Sequence, residues 1–127
     1  MERNKQRFRS NEISGGTELS KYRNKAITID NIRFDSIREA RRYQELKVMA
    51  KAGLITELRL QVPYELIPTQ KKYGKTIAKK ISYYADFVYR DRSGNLIVED
   101  AKGVRTEVYK LKKKLMLYVH GIEIQEV

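Results

Sequence analysis

A chain of 127 residues, 41% of them hydrophobic, has room for one domain with one real core. Its 27 Lys and Arg against 16 Asp and Glu leave a net charge of +11, which favours polyanions through long-range attraction and counterion release. The absence of cysteine excludes disulfides and thiolate zinc sites, and the single histidine, His120, excludes histidine-built metal sites and Ser-His triads.

Residues 1–25 hold seven basic and three acidic residues, few apolar ones, and Ser14-Gly15-Gly16. They read as a basic arm that orders on a phosphate backbone, with a merely solubilising tail as the plainer alternative. The compact domain is expected over 26–127. Ala26–Ile29 and Ile32–Phe34 flank Asp30-Asn31 as a short hairpin. Ser36 to Ala52 reads as a helix, with Ser36 as N-cap and Gly53 as terminator. Leu58, Leu60 and Val62 alternate as a strand that continues to Ile67, with an edge or bend at Pro63. A basic turn over 70–75 surrounds Gly74, and a long strand follows from Ile77 to Tyr89. Arg92-Ser93-Gly94 is a turn, and Leu96 to Lys102 the next strand. A second helix spans Thr106 to Val119 with an apolar stripe of Val108, Leu111, Leu115, Tyr118 and Val119, and stops at Gly121. Ile122 and Ile124 begin a last short strand. From Ser36 onward the order is helix, three antiparallel strands, helix, strand: an α/β fold with a mixed sheet flanked by helices. No apolar run reaches membrane-spanning length, and the polar N-terminus lacks the apolar core of a signal peptide, so a cytoplasmic protein with no membrane partner is expected.

Turn geometry carries the argument from fold to chemistry. A three-residue loop centred on Ser93, with Gly94 at its left-handed position, places Asp86 opposite Asp100 and Tyr84 opposite Lys102. Side chains alternate along a strand, so Asp100 and Lys102 share a face with Asp86. Facing carboxylates repel, and they persist more readily where a cation lies between them. Oxygen-only ligands suit Mg²⁺ or Mn²⁺ rather than zinc. A slip of one residue would turn Asp100 away and put Glu99 in its place.

Glu39 admits two readings. Ser36-Ile37-Arg38-Glu39 fits the S-x-x-E capping box, in which the glutamate closes on the N-cap amide. At about 100° per residue, however, Glu39 lies within about 40° of Tyr43, Leu46 and Ala50, along the apolar stripe of the helix. A capping glutamate gains nothing from that direction, whereas one reaching a metal over the sheet would.

Phe34-Asp35-Ser36-x-x-Glu39-Ala40, Tyr83-Tyr84-Ala85-Asp86-Phe87 and Val98-Glu99-Asp100-Ala101-Lys102-Gly103 together resemble the PD-(D/E)xK nuclease superfamily. Within it they look closest to a small phage and prophage family of endonuclease-like proteins, related to the Holliday-junction resolvases. The (D/E)-x-K triplet alone is weak, but the three elements occur in order and on the expected helix and strands, over residues 36–126. No proline precedes Asp86, and Glu99 beside Asp100 leaves the ligand assignment open between them.

The resemblance implies a restriction-endonuclease-like core with Glu39, Asp86, Asp100 and Lys102 as the catalytic set. Asp86 and Asp100 would hold one Mg²⁺ with the Ala101 carbonyl, and Glu39 would bind that ion or a second. The metal would polarise the phosphate and lower the pKa of a bound water, while Lys102 positions the water and stabilises developing charge. It also implies a phage- or prophage-encoded protein acting in a bacterial cell, in recombination or replication. Resolution of a junction needs paired cuts, so a two-fold homodimer is expected in that case, with Met116 and Leu117 off the core stripe as contact residues.

The substrate surface is read from the remaining charges. Lys71, Lys72, Lys75, Lys79 and Lys80 lie in or beside one turn with no acidic neighbour, Arg38, Arg41 and Arg42 flank Glu39, and Lys110, Lys112, Lys113 and Lys114 sit on the second helix. Phosphate contact is the functional reading and a solvated face the bland one. No side-chain set suggests base readout, so DNA would be recognised by shape and charge. A metal-dependent DNA endonuclease selective for branched DNA is the first reading. A non-catalytic basic DNA-binding module on the same fold is its rival, and a membrane-surface protein a weaker third, for want of a basic amphipathic helix with large apolar residues.

Overall fold

The computed structural model describes residues 26–127, so the predicted basic arm over 1–25 lies outside the described residues. The chain divides into two compact units between Val48 and Met49.

In the first unit, strands β1 (Ile27–Ile29) and β2 (Ile32–Phe34) pair antiparallel across Asp30-Asn31. Both turn residues have positive φ, 54° and 64°, a two-residue hairpin geometry that Asp and Asn tolerate better than most residues. Helix α1 (Ile37–Lys51) starts at Ser36, whose Oγ accepts the Glu39 N–H at 3.1 Å. Its buried residues are Glu39, Ala40, Tyr43 and Leu46, so the predicted apolar stripe includes the glutamate. Phe34 and Tyr43 pack with ring centroids 5.0 Å apart. The Tyr43 hydroxyl donates to Asp30 at 2.9 Å and Lys47 pairs with the same carboxylate, fastening the helix to the hairpin turn.

The second unit is built on a four-stranded sheet. Its strands are β3 (Thr56–Ile67), β6 (Ile81–Arg90), β7 (Leu96–Asp100) and β8 (Gln125–Glu126), in that spatial order. Among the first three each neighbouring pair is antiparallel, and β8 runs parallel to β7. With helix α2 (Glu107–Leu115) between β7 and β8, the chain has the expected order of helix, three antiparallel strands, helix, strand, and the fold is α/β with a mixed sheet. β3 is an edge strand, which accommodates Pro63 and its missing donor. Thr106 caps α2 by accepting the Tyr109 N–H at 3.1 Å. The helix then widens into a π-helical turn, Met116–His120, and ends at Gly121 with φ 68°. The core joins Leu66, Tyr83, Ala85, Val88, Val98, Tyr109, Met116 and Ile124.

Two expectations are corrected. The long strand predicted from Ile77 is broken at Lys79-Lys80. Before the break, β4 (Gln70–Lys72) and β5 (Lys75–Ala78) form a separate hairpin turning on Tyr73-Gly74, both with positive φ, and Ile77 lies at a register shift of that hairpin instead of in the main sheet. The Lys80 N–H donates to Thr69 Oγ1 at 3.2 Å, closing the base of this hairpin. Second, Val108, Leu111, Tyr118 and Val119 of the predicted α2 stripe are exposed. The helix instead turns Tyr109 and Met116 inward, and the extra residue of the π turn shifts the phase after Leu115. Met116 is therefore fully buried and unavailable as a subunit contact, whereas Leu117 is exposed. No helix of the described residues is long and apolar enough to cross a membrane.

Candidate active site

The β6–β7 turn sets the geometry. Gly94 has φ 84°, and Asp91 Oδ1 accepts the N–H groups of Ser93 and Asn95, both at 2.9 Å. Pairing then runs Arg90 with Leu96, Val88 with Val98 and Phe87 with Glu99, the predicted register. The same register carried one step further sets Asp86 against Asp100, whose charges interact, and Asp86 Oδ2 accepts the Ala101 N–H at 2.9 Å. Glu99 lies on the other face with Phe87 and takes the Tyr89 hydroxyl. The alternative in which Glu99 replaces Asp100 is not realised. Lys102 lies past the end of β7 rather than paired with Tyr84, its ammonium 4.8 Å from the centroid of the Tyr109 ring.

Both aspartates are removed from water, with relative exposures of 8% for Asp86 and 2% for Asp100. Burial, and next the charge of Asp100, push the Asp86 carboxyl up to about 6 against the lowering pull of the Ala101 N–H, the Gln61 amide and Lys102. Tyr83 donates its hydroxyl to Asp100 Oδ2 at 2.5 Å, and burial followed by that hydrogen bond raises its own pKa, keeping it a neutral donor. Asp100 Oδ1 is buried and receives no hydrogen bond. Lys102 Nζ comes to 3.5 Å from it, an ion-pair separation without donor geometry. Gln61 donates from Nε2 to Asp86 Oδ1 at 3.0 Å, while its Oε1 is buried without a donor.

These groups fit a divalent cation. Two facing carboxylates raise each other's energy until a proton or a cation lies between them, and one of their oxygens has no hydrogen bond to replace. The donors are all hard oxygens, the set preferred by Mg²⁺ or Mn²⁺. Among the described residues no three His, Cys, Asp or Glu side chains gather into one cage, and Asp86 and Asp100 are the two predicted carboxylates brought together.

Of the predicted set, Asp86, Asp100 and Lys102 are brought together in the second unit. Glu39 is on α1 in the first unit, buried, with its N–H on the Ser36 cap. Arg38, Arg41 and Arg42 share that helix, Arg38 and Arg41 exposed and Arg42 paired with Glu45 at 2.8 Å. Lys71, Lys72, Lys75, Lys79 and Lys80 are all exposed, on and below the β4–β5 hairpin. Lys114 is exposed, but Lys110 pairs with Glu107 at 3.1 Å and Lys113 with Glu126 at 3.2 Å. Glu126 also takes the Tyr109 hydroxyl and Arg105, both at 2.8 Å, and these donors, Tyr109 foremost, hold its carboxyl at about 2. Sequence reasoning missed Gln61, Tyr83 and this Glu126 cluster. Gln61 carried no signal, because a polar residue between Leu60 and Val62 is what strand alternation leads one to expect.

The family described as "Protein of unknown function (DUF1064)" matches residues 19–125, and the chain belongs to it. No curated protein matches the chain.

Proposed function

We propose that this protein is a divalent-cation-dependent DNA endonuclease, with Mg²⁺ or Mn²⁺ as cofactor. The observation that carries the reading is the buried pair Asp86 and Asp100, opposite each other with one oxygen left without a donor and Lys102 beside it. Evolution has little reason to keep such a pair in a metal-free binding module, where it only destabilises the fold. This also matches the resemblance of the three sequence elements to PD-(D/E)xK nucleases.

Asp86 and Asp100 would hold the cation, and Tyr83, Gln61 and the Ala101 N–H fix their orientation. When bound, the cation supplies polarisation of the scissile phosphate and a more acidic water. Lys102 is the cationic group able to position the attacking water and offset charge on the phosphate oxygens. From the sequence resemblance alone, Glu39 is proposed as a further metal-binding carboxylate.

The β4–β5 hairpin would grip the substrate backbone: its lysines are exposed with no acidic residue between Glu65 and Asp86. Tyr73 at its tip is 91% exposed, with Lys72 over the ring at 5.6 Å, which suits stacking on an unpaired base. Arg38, Arg41, Lys114 and, after release from their acidic partners, Arg42, Lys110 and Lys113 would add phosphate contacts. This supports selectivity for branched or junction DNA over base sequence; the sequence resemblance is what suggests a role in phage recombination or replication within a bacterial cytoplasm. A homodimer would supply paired cuts, with exposed Leu117 as a contact.

The test is a panel of end-labelled linear, nicked, flapped and four-way DNA incubated with purified protein in Mg²⁺ or in EDTA. Mg²⁺-dependent cleavage, strongest on branched DNA, is expected. Tight DNA binding with no cleavage under Mg²⁺ or Mn²⁺ would favour the binding module instead.

A further inference from the structure

Gln61 occupies a backbone conformation that its residue type does not favour. It sits within β3 with φ 51°, in the left-handed region that only glycine, and to a lesser degree asparagine and aspartate, enters readily. Pairing between β3 and β6 proceeds in register on both sides, Leu60 with Phe87 and Val62 with Ala85, and the step between them, Gln61 against Asp86, is the one left out. Strict alternation also fails there. Tyr83, Ala85 and Val88 belong to one core although Ala85 and Val88 differ in parity, so β6 changes face beside Gln61. Local irregularities of this kind re-aim side chains and persist where something other than fold stability retains them.

The irregularity aims the Gln61 amide at the aspartate pair. Nε2 donates to Asp86 Oδ1 at 3.0 Å. That contact fixes which way round the amide lies, because the reverse orientation would set Oε1 against a carboxylate oxygen. Oε1 is then left buried without a donor, as is Asp100 Oδ1. Among the buried side-chain oxygens and nitrogens of the described residues, these two alone lack a hydrogen bond, and both belong to side chains that flank Asp86. Two buried acceptors without a hydrogen bond, on the two side chains that flank Asp86 and with the Lys102 ammonium at ion-pair distance from one of them, suit a cation rather than a hydrogen-bonding ligand.

We infer that Gln61 is a third oxygen donor of the Asp86–Asp100 cation site, holding Asp86 through its amide N–H while offering Oε1 to the metal. This rests on the cation-dependent reading proposed above. It explains why a strained, non-glycine residue stands at this break in the pairing: a shorter side chain would relax the backbone but withdraw the oxygen. Gln61 is thereby both a positioning residue for Asp86 and a neutral ligand, adding no charge to the site.

The test separates binding from folding. Mn²⁺ affinity of the full chain is measured by electron paramagnetic resonance titration for wild type, Gln61→Gly, Gln61→Asn, Gln61→Glu and Asp86→Asn, alongside urea midpoints in EDTA. Glycine and asparagine both tolerate positive φ, so these variants should unfold at a urea concentration close to that of wild type. Both should nevertheless bind Mn²⁺ at least about tenfold more weakly, the scale seen when groups supporting a metal site are removed. Gln61→Glu, which keeps an oxygen at the same reach, should bind within about threefold of wild type or tighter, by the same measure of metal-site support. Wild-type-like affinity in both the glycine and asparagine variants, with Asp86→Asn impaired, would overturn the role of Gln61 and leave the metal site standing. Wild type that takes up no Mn²⁺ would overturn the inference together with the cation-dependent reading beneath it.

Discussion

Removing one charge from the aspartate pair should stabilise the metal-free protein, in a pH window set by Asp86. Its carboxyl is raised from 3.8 to about 6, first by burial and then by Asp100. In the unfolded chain the same group ionises near its ordinary value, so between about pH 4 and pH 6 the folded state binds more protons than the unfolded one. Stability in that window therefore falls as pH rises, by about 3 kcal/mol in all at 1.36 kcal/mol per pKa unit. Roughly 2 kcal/mol of it falls between pH 4.5 and 7.5. Asp86→Asn removes this loss because the amide never ionises. The new side chain can accept the Ala101 N–H and, with the Gln61 amide reversed, donate to its Oε1, now without a partner. Urea unfolding in EDTA, followed by circular dichroism at pH 4.5 and 7.5, measures the effect. Relative to wild type, Asp86→Asn should gain about 2 kcal/mol on moving to the higher pH. Saturating Mg²⁺ should raise wild type far more than the variant, through preferential binding to the folded state. Parallel pH dependence of the two proteins would refute the claim that Asp86 is ionised at a cost inside the fold.

Glu39→Gln separates capping from chemistry. Glutamine serves in a capping box, so the melting temperature should hold, while cleavage should fall by about two orders of magnitude if the carboxylate takes part; full activity would confine Glu39 to the helix cap. Lys102→Met should lower the single-turnover rate by about 10²–10⁴-fold with DNA affinity changed less than about threefold, because its ammonium is aimed at the aspartates rather than at a distant phosphate. A variant cleaving at the wild-type rate would remove Lys102 from the site. DNA affinity measured by fluorescence anisotropy should fall with salt at a log–log slope of about −0.9 per phosphate contact. The combined substitution of Lys71, Lys72 and Lys75 by Ala should flatten that slope by about two to three units, and an unchanged slope would leave the hairpin without a role in binding.

The part of the site that was legible in the sequence depended on one turn. Gly94 can be placed at a positive φ from its type alone, and with the loop length set, the opposition of Asp86 and Asp100 follows by counting. The Ser36 cap and the inward Glu39 were equally local inferences, from spacing along one helix. What escaped was set by irregular backbone or by partners distant in sequence. Tyr73 at positive φ is not a residue that announces a two-residue hairpin, so β5 and β6 merged into one expected strand. Gln61 violates the same preference, and its approach to Asp86 spans a gap no local pattern encodes. Along α2, periodicity showed that an apolar stripe exists but not which face the sheet would accept. Tyr109 and Met116 fill the core, and the π turn between Met116 and His120 breaks the period on which the stripe was counted.

The most direct measurement of the central claim is the single-turnover cleavage rate of labelled branched DNA in Mg²⁺ by wild type, Asp86→Asn and Asp100→Asn purified in parallel. If the facing aspartates hold the cation that does the chemistry, each variant should lose about three orders of magnitude or more in rate. Each should also keep the wild-type circular dichroism spectrum and bind DNA at least as tightly in EDTA, having shed a negative charge. Cleavage by either variant within a few-fold of wild type would contradict the account, since the activity would then run without the pair that defines the proposed site.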